Sequence, residues 1–281
     1  MIVTRFAPSP TGRLHLGHAL SAVRAHGLAR AAGGRFLVRI EDIDGTRSRP
    51  EHVETILADL RWLGLDWDDL SFQSQWLERY AAALDDLRGR GLVYPCFCTR
   101  AEIAASASAP HGMAPLYPGT CRALAPAERA GRMATPHCWR LDMARAVAIA
   151  GPLTWHDATA GRVTAVPGVQ GDVVLARKDA PSSYHLAVSV DDAAQGVTDI
   201  VRGADLFDAT HVHRLLQALL NLPVPRYHHH PLILGADGQR LAKRHGAPAL
   251  ADMRGRGVDG VALAADLRRD ILPTGFSLGK A

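Results

Sequence analysis

Lysine is nearly missing from this chain: 3 of its 281 residues, against 29 arginines. The formal charge of +4 and the pI near 9.1 therefore reflect an arginine-rich composition, and charge alone argues only weakly for a nucleic-acid partner. Cysteine is scarce as well. Four thiols, Cys96, Cys98, Cys121 and Cys138, in so long a chain exclude a disulfide-stapled secreted scaffold and make a metal site in a reducing, cytoplasmic compartment the better expectation. No apolar run reaches the ~18 residues that a membrane span needs. The amino terminus, MIVTRFAPSPTGRLHLGH, sets Arg5 and two prolines where a secretory signal requires an unbroken apolar stretch. A cytoplasmic protein without a membrane partner is expected, and no repeat or low-complexity segment is present.

The 47% hydrophobic content is ample for a buried core, and a length of about 150 residues per domain predicts two domains. The start alternates strand and helix: Ile2 to Ala7, Leu16 to Ala32, then Arg35 to Ile40, a parallel α/β beginning. After Pro50, residues Val53, Ile56, Leu57, Leu60 and Leu63 recur at helical spacing, and a further helix runs from Trp76 to Leu87. From Gly89 to about Pro181 prolines, glycines and the cysteines, three of them within 26 positions, interrupt the pattern, which predicts an inserted small domain with a short strand at His137 to Asp142. The α/β pattern resumes at Tyr184 to Val190, with a helix from Asp208 to Leu220, a strand at Pro231 to Leu234, and an amphipathic stretch from Val258 to Leu272. The division expected is 1–88 and 184–281 as two halves of one catalytic domain, the second carrying a basic loop and helical tail, with 89–183 inserted between them.

After the first strand, APSPTGRLHLGH (Ala7 to His18) combines stiffening prolines, Gly12 and Gly17 without side-chain bulk, and His15 and His18 at a helix start. Such a turn can hold a nucleotide: the helix amino end favours a phosphate and the two histidines can donate to phosphoryl oxygens as charge develops. An isolated His-x-Gly-His is more often a helix cap with two surface histidines. Here it is accompanied, more than two hundred residues later, by GQRLAKRHG, where Lys243 stands between Arg240 and Arg244 in a glycine-bounded basic loop suited to a leaving pyrophosphate.

These two motifs resemble the hallmarks of the class I aminoacyl-tRNA synthetases. More narrowly, RFAPSPTGRLHLGH, RIEDIDGTR (Arg39 to Arg47), YHLAVSVDD (Tyr184 to Asp192) and VTDIVRGADL (Val197 to Leu206) are similar to glutamyl-tRNA synthetases, in order from Arg5 to about Leu250. The resemblance implies a Rossmann-type parallel sheet, with His15, His18 and Lys243 catalytic and His15, Gly17, His18 and Lys243 on ATP and its Mg²⁺. It also places Arg5, Phe6, Ala7, Pro8, Ser9, Glu41, Tyr184 and Arg202 around L-glutamate. Arg5 and Arg202 suit the side-chain carboxylate and Glu41 the ammonium group; the bland alternative pairs Arg5 with Glu41 across neighbouring strands and puts Tyr184 in the core. Ala242, where a serine is common, and the turn KDAPSSYH depart from the family pattern.

Cys96-Phe-Cys98 and Tyr117-Pro-Gly-Thr-Cys121 bring three thiols close in sequence, and tetrahedral zinc wants a fourth ligand. His111, Tyr117, His137 and Cys138 are all near enough, and spacing does not choose among them. The resemblance does: compact glutamyl-tRNA synthetase paralogues that modify a tRNA base carry Cys-x-Cys with Tyr-x-x-x-Cys, implying Cys96, Cys98, Tyr117 and Cys121 on one structural Zn²⁺. Cys138 then reads as a core strand residue. His228, His229 and His230, on alternating faces of a strand, read as structural, and His211 and His213 as solvent-facing.

About 37 residues follow Arg244, too few for the helical anticodon-binding portion of a glutamyl-tRNA synthetase. The resemblance is therefore closest to the glutamyl-queuosine tRNA(Asp) synthetases. It implies a monomer that activates glutamate with ATP and transfers it to queuosine in the anticodon loop of tRNA(Asp). Alternatives are a truncated synthetase charging the tRNA 3′ end, a small-molecule nucleotidyltransferase, and a non-catalytic RNA-binding paralogue.

Overall fold

Val3–Phe6 (β1) is buried throughout, and in Arg35–Ile40 (β2) only Arg35 reaches solvent, as in strands covered on both faces. In the computed structural model, which describes residues 1–99, 101–103, 116–241 and 248–279, these strands pair in parallel, with Val3 beside Arg35 and Phe6 beside Val38. Between them runs Leu16–Ala31 (α1). Pro50–Trp62 (α2), opened by its proline, follows, and Asp69–Phe72 (β3) joins β2 in parallel. Leu77–Gly89 (α3) ends this half.

Val93–Cys96 (β4) and Cys138–Leu141 (β5) then pair antiparallel, with the short helix Pro126–Arg132 (α4) between them. Met143–Ala150 (α5) leads to a hairpin of Thr154–Asp157 (β6) and Gly161–Thr164 (β7), and Val174–Ala176 (β8) returns to β5. Tyr184–Ala194 (α6), Asp199–Gly203 (β9), Ala209–Leu219 (α7) and Arg226–His230 (β10) rebuild the parallel architecture. β10 lies parallel to β9 and to β6. Residues 154–164 fall inside the stretch expected as an insertion, yet they extend the main sheet; Trp155 is the only apolar side chain of β6, so no periodicity marks it.

β9 sits beside β1, where Thr198 N–H donates to Val3 O at 2.9 Å. Two sheets, β3-β2-β1 and β9-β10-β6-β7, thus abut along β1 and β9, and strand order runs outward in both directions from that boundary. In open α/β sheets such a switch point is where ligands bind, at the carboxyl ends of the strands. One face, with Phe6, Phe36, Val38, Ile40 and Val201, packs on α1, α2 and two later helices, Leu250–Gly255 (α8) and Gly260–Arg268 (α9). The other face carries Val3, Leu37, Ile200 and Tyr227. Ile233–Leu234 (β11) and Ser277–Leu278 (β12) close the end as an antiparallel pair.

His211 and His213, expected at the surface, are buried. The expectation fails because α7 is covered almost all round: Thr210, His211, Val212 and His213 are consecutive and all buried, so the helix has no polar face there.

Candidate active site and metal centre

Strand alternation sets the site. Arg5 follows Val3 by two, Arg39 follows Leu37 by two, Arg202 follows Ile200 and His229 follows Tyr227, so all four lie on the same face, at the carboxyl ends of β1, β2, β9 and β10. α6 faces them and brings two acids. Asp192 bonds Arg5 at 2.9 Å and Arg39 at 2.8 Å; Asp191 accepts from Gln73 (2.8 Å) and Tyr80 (2.7 Å). Glu41 lies 3.5 Å from Arg39. Arg5 therefore pairs with Asp192, not with Glu41 as the bland alternative had it. Burial would raise the Asp192 carboxyl, but Arg5 and Arg39 outweigh it and hold it low. At Glu41 burial wins over Arg39 and Arg5, and the carboxyl is pushed up to about 7.

Arg202 is different. It is buried, and its bonds go to Tyr184 Oη (3.3 Å), His213 Nδ1 (3.3 Å), His229 Nε2 (3.1 Å) and Thr210 Oγ1, none of them an anion. Burial and the cation keep His185 and His229 neutral, with pKa values near 4, against the pull of Asp157 on His229. Among the described residues no carboxylate lies within ion-pair distance of Arg202. A buried guanidinium in this state is costly unless an anion is supplied from outside.

The turn after β1 forms the wall opposite. His15 caps α1: its Nδ1 accepts from Gly17 N–H at 3.1 Å, while His18 Nδ1 accepts from His15 N–H at 3.1 Å. Both neutral rings therefore carry their hydrogen on Nε2. A Cβ at Gly17 would stand 3.0 Å from His15 Cε1, so the glycine is what lets the ring fold back over the helix start. Glu41 N–H donates to Pro8 O (3.0 Å), tying this turn to β2.

Arg5, Phe6, Ala7, Pro8, Ser9, His15, Gly17, His18, Glu41, Tyr184 and Arg202 all line one cavity of about 440 Å³. Lys243, with Ala242 and Arg244, lies outside the described residues; Arg240 and Leu241 just ahead of it line the same cavity, Arg240 paired with Asp205 at 2.8 Å. A second cavity of about 1050 Å³ shares Ser9, Thr11, Glu41 and Tyr184 with the first and reaches Cys98, Cys138, Arg140 and Lys178. Sequence reasoning missed Arg39, Asp191, Asp192, His185 and His213. The paired acids of YHLAVSVDD, seven and eight residues after Tyr184, are the one signal that could have found part of this network.

The Cys96, Cys98 and Cys121 sulfurs lie within 4.8 Å of one another and can hold a metal ion. Gly119, at φ +84°, turns the segment so that Cys121 returns to Cys98 (Sγ–Sγ 3.5 Å). Tyr117 Oη stands 3.9 Å from Cys98 Sγ and accepts from Cys121 N–H at 2.7 Å. The Arg140 guanidinium lies 4.0 Å over the Tyr117 ring, and Lys178 donates to Phe97 O and Cys98 O. The neighbouring Cys138 thiol, with Tyr117 and Arg140, pulls the Cys96 thiol well below the usual range. Three sulfurs this close with cations beside them suit a thiophilic ion. Of the other fourth-ligand candidates, His111 lies outside the described residues, His137 bonds Thr135 O, and Cys138 is buried in β5 opposite Cys96.

Residues 1–274 match the family model of the catalytic domain of class I tRNA synthetases (E and Q). A Glutamyl-Q tRNA(Asp) synthetase of Rhodobacter capsulatus is 50% identical over 282 residues, spanning 95% of this chain and 99% of the relative; one from Symbiobacterium thermophilum is 49% identical over 92% and 82%. The solved glutamate tRNA ligase of Elizabethkingia meningosepticum, in complex with its amino acid, superposes with a TM-score of 0.72 at 28% identity over 87% of this chain. This chain spans about half of that ligase, 52%. No helix among the described residues is long and apolar enough to cross a membrane.

Proposed function

The chain belongs to the class I tRNA synthetases for glutamate and glutamine, ligases of the aminoacyl-tRNA synthetase type, and on that premise we propose that it activates L-glutamate and delivers it to queuosine in tRNA(Asp). The observation that carries the amino-acid choice is Arg202, a buried cation bonded only to neutral groups, in the same cavity as Glu41. Glutamate supplies the anion that Arg202 lacks, its side-chain carboxylate meeting the guanidinium, while its ammonium meets Glu41, whose own contact with Arg39 is a long 3.5 Å. Glutamine would leave the guanidinium without an anion, the kind of polar mismatch that can reach about 10⁴-fold discrimination.

In the first step the glutamate α-carboxylate oxygen attacks the ATP α-phosphorus in line. The bond to the bridging oxygen breaks, pyrophosphate leaves, and glutamyl-adenylate forms. His15 and His18, with hydrogens on Nε2, donate to the phosphoryl oxygens as charge builds. Lys243 is assigned to the departing pyrophosphate on the resemblance alone. Mg²⁺ bound with ATP supplies neutralisation of the phosphate charge. In the second step a hydroxyl of the queuosine cyclopentene ring attacks the acyl carbon, AMP departs with the electron pair of the broken anhydride bond, and the hydroxyl proton passes to solvent. The 1050 Å³ cavity that opens from Glu41 and Tyr184 toward the cysteines is large enough for a nucleoside.

Cys96, Cys98, Tyr117 and Cys121 would hold one structural Zn²⁺, whose ligation ties β4 to the 117–121 turn in a region with few apolar contacts of its own. This reading divides the chain into 1–88 and 184–281 as catalytic halves with 89–183 between them, of which residues 154–164 add β6 and β7 to the catalytic sheet, and takes the protein to be a cytoplasmic monomer.

The test is to incubate the protein with ATP, labelled glutamate and tRNA(Asp) carrying or lacking queuosine, digest to nucleosides and locate the label. Label on queuosine, and none without it, is expected. Label on the terminal adenosine would replace this reading with ordinary aminoacylation, and glutamate-independent turnover of ATP with a small molecule would indicate a nucleotidyltransferase.

A further inference from the structure

Arg202 fixes the hydrogens of the groups that hold it. A guanidinium only donates, so His213 Nδ1 and His229 Nε2 both present lone pairs to it. Each neutral ring then carries its hydrogen on the other nitrogen: His229 Nδ1–H donates to Asp157 at 2.8 Å, and His213 Nε2–H donates to His185 Nδ1 at 3.2 Å. The result is a chain, Asp157–His229–Arg202–His213–His185, that crosses β6, β10, β9, α7 and α6. His213 is 2% exposed and lines neither cavity, so it acts through its neighbours: by hydrogen bonds through Arg202 and His185, and by ring contact through Tyr184, 5.4 Å away edge-on. Burial, Arg202 and His185 hold it neutral.

Compare Arg5, on the same face of the sheet. Its guanidinium is aimed by a carboxylate, Asp192, which also cancels its charge. A carboxylate at position 213 would aim Arg202 equally well and cancel its charge too. We propose that His213 is the positioning residue that sets the acid specificity of the cavity, because its neutral acceptor orients Arg202 and leaves the positive charge for the substrate carboxylate. The inference rests on the reading of Arg202 given above and deepens it: specificity for a dicarboxylic amino acid comes from the choice of a neutral partner behind the cation.

The experiment is glutamate-dependent ATP–pyrophosphate exchange with the full chain, run with glutamate and with glutamine, for wild type, His213→Glu, His213→Gln and His213→Leu. In His213→Glu the built-in carboxylate competes with the substrate's, so KM for glutamate should rise about 100-fold with kcat within about threefold, and the glutamate-to-glutamine ratio of kcat/KM should fall by a similar factor. In His213→Gln the amide oxygen can accept from Arg202 and its NH₂ can donate to His185, so KM should return to within about threefold of wild type. A purely structural role would lower the melting temperature of all three variants without moving the glutamate-to-glutamine ratio. His213→Glu with wild-type KM and ratio overturns the inference, as does His213→Gln as impaired as His213→Glu. If His213→Glu does not fold, the Leu and Gln variants decide: KM raised at least about tenfold by Leu and restored by Gln supports it, equal values overturn it. A wild-type protein with no glutamate-dependent exchange is a separate result and removes the functional reading itself.

Discussion

The cavity at the strand ends and the cysteine cluster are both small polar sites, held by opposite means. At the cavity, Arg5 and Arg39 share Asp192 across 187 and 153 residues of sequence, and the strands that carry them are packed into a core of 23 buried residues. At the cysteines, the contacts among Phe97, Cys98, Tyr117 and Cys121 span 4 to 24 residues, and among the described residues the local core is five buried side chains, three of them cysteines. The first site depends on the whole fold to place its charges. The second has too little apolar area to order itself and gains most from a bound ion.

The sharpest way to break this comparison is to remove the shared acid. Asp192→Ala leaves two buried guanidinium groups without their common counter-charge and should cost about 3–5 kcal/mol in urea denaturation, with unfolding felt throughout the sheet. A loss below about 1 kcal/mol would mean that the network is not what holds the strand ends together. Next in size, stripping metal with a chelator, or Cys121→Ser, should cut amide protection at least about tenfold in 93–98, 117–122 and 138–141 by hydrogen-exchange mass spectrometry, while β1, β2 and β9 keep theirs. Equal loss in both regions would make them one cooperative unit.

The smallest effect concerns Glu41. Its carboxyl is raised from 4.5 to about 7, so the folded protein takes up an extra proton between those values, and ligand-free stability falls as pH rises through that window. Glutamate brings an ammonium group that favours the ionised form. Its affinity should therefore strengthen up to about tenfold per pH unit below 7 and level off above. Beside Glu41 the nearby carboxylates raise the Arg39 guanidinium and the two arginines hold Asp192 low, so neither changes charge in this window, and the neighbouring histidines His185 and His229 are already neutral there. Glu41→Gln should give a flat profile in calorimetric titration; a profile as steep as wild type would locate the titrating group elsewhere.

Much of this was legible in the sequence. The strand, turn and helix from Val3 to Ala31 stand where alternation and the His-x-Gly-His turn indicated, and the eight residues expected around glutamate line one cavity because each sits at a strand end or at the start of α6. What escaped was what lies behind them. Arg39 looks like any strand residue, and Asp191 and Asp192 look like the polar end of a helix, until the register brings them together across more than 150 residues. His211 and His213 misled because Val212, Leu215, Leu216 and Leu219 form an apolar stripe that leaves the histidines off it, where sequence reading expects solvent, yet those flanks of the helix are buried too. The histidine run of β10 conceals an interior strand for a related reason: its polar side chains are each satisfied separately, His228 by Asp199, His229 by Asp157 and His230 by Ser21.

The pairing of β1 with the stretch that leads into β9 has a bearing on how the molecule is made. Val3 leaves the ribosome 195 residues ahead of its partner Thr198. A nascent chain that has already displayed the His-x-Gly-His turn must wait, with Arg5 and Arg39 uncompensated, until α6 and β9 emerge. Competence to bind substrate is thus a late, all-at-once event in synthesis, and the growing amino-terminal half is the stage at which chaperone protection matters most.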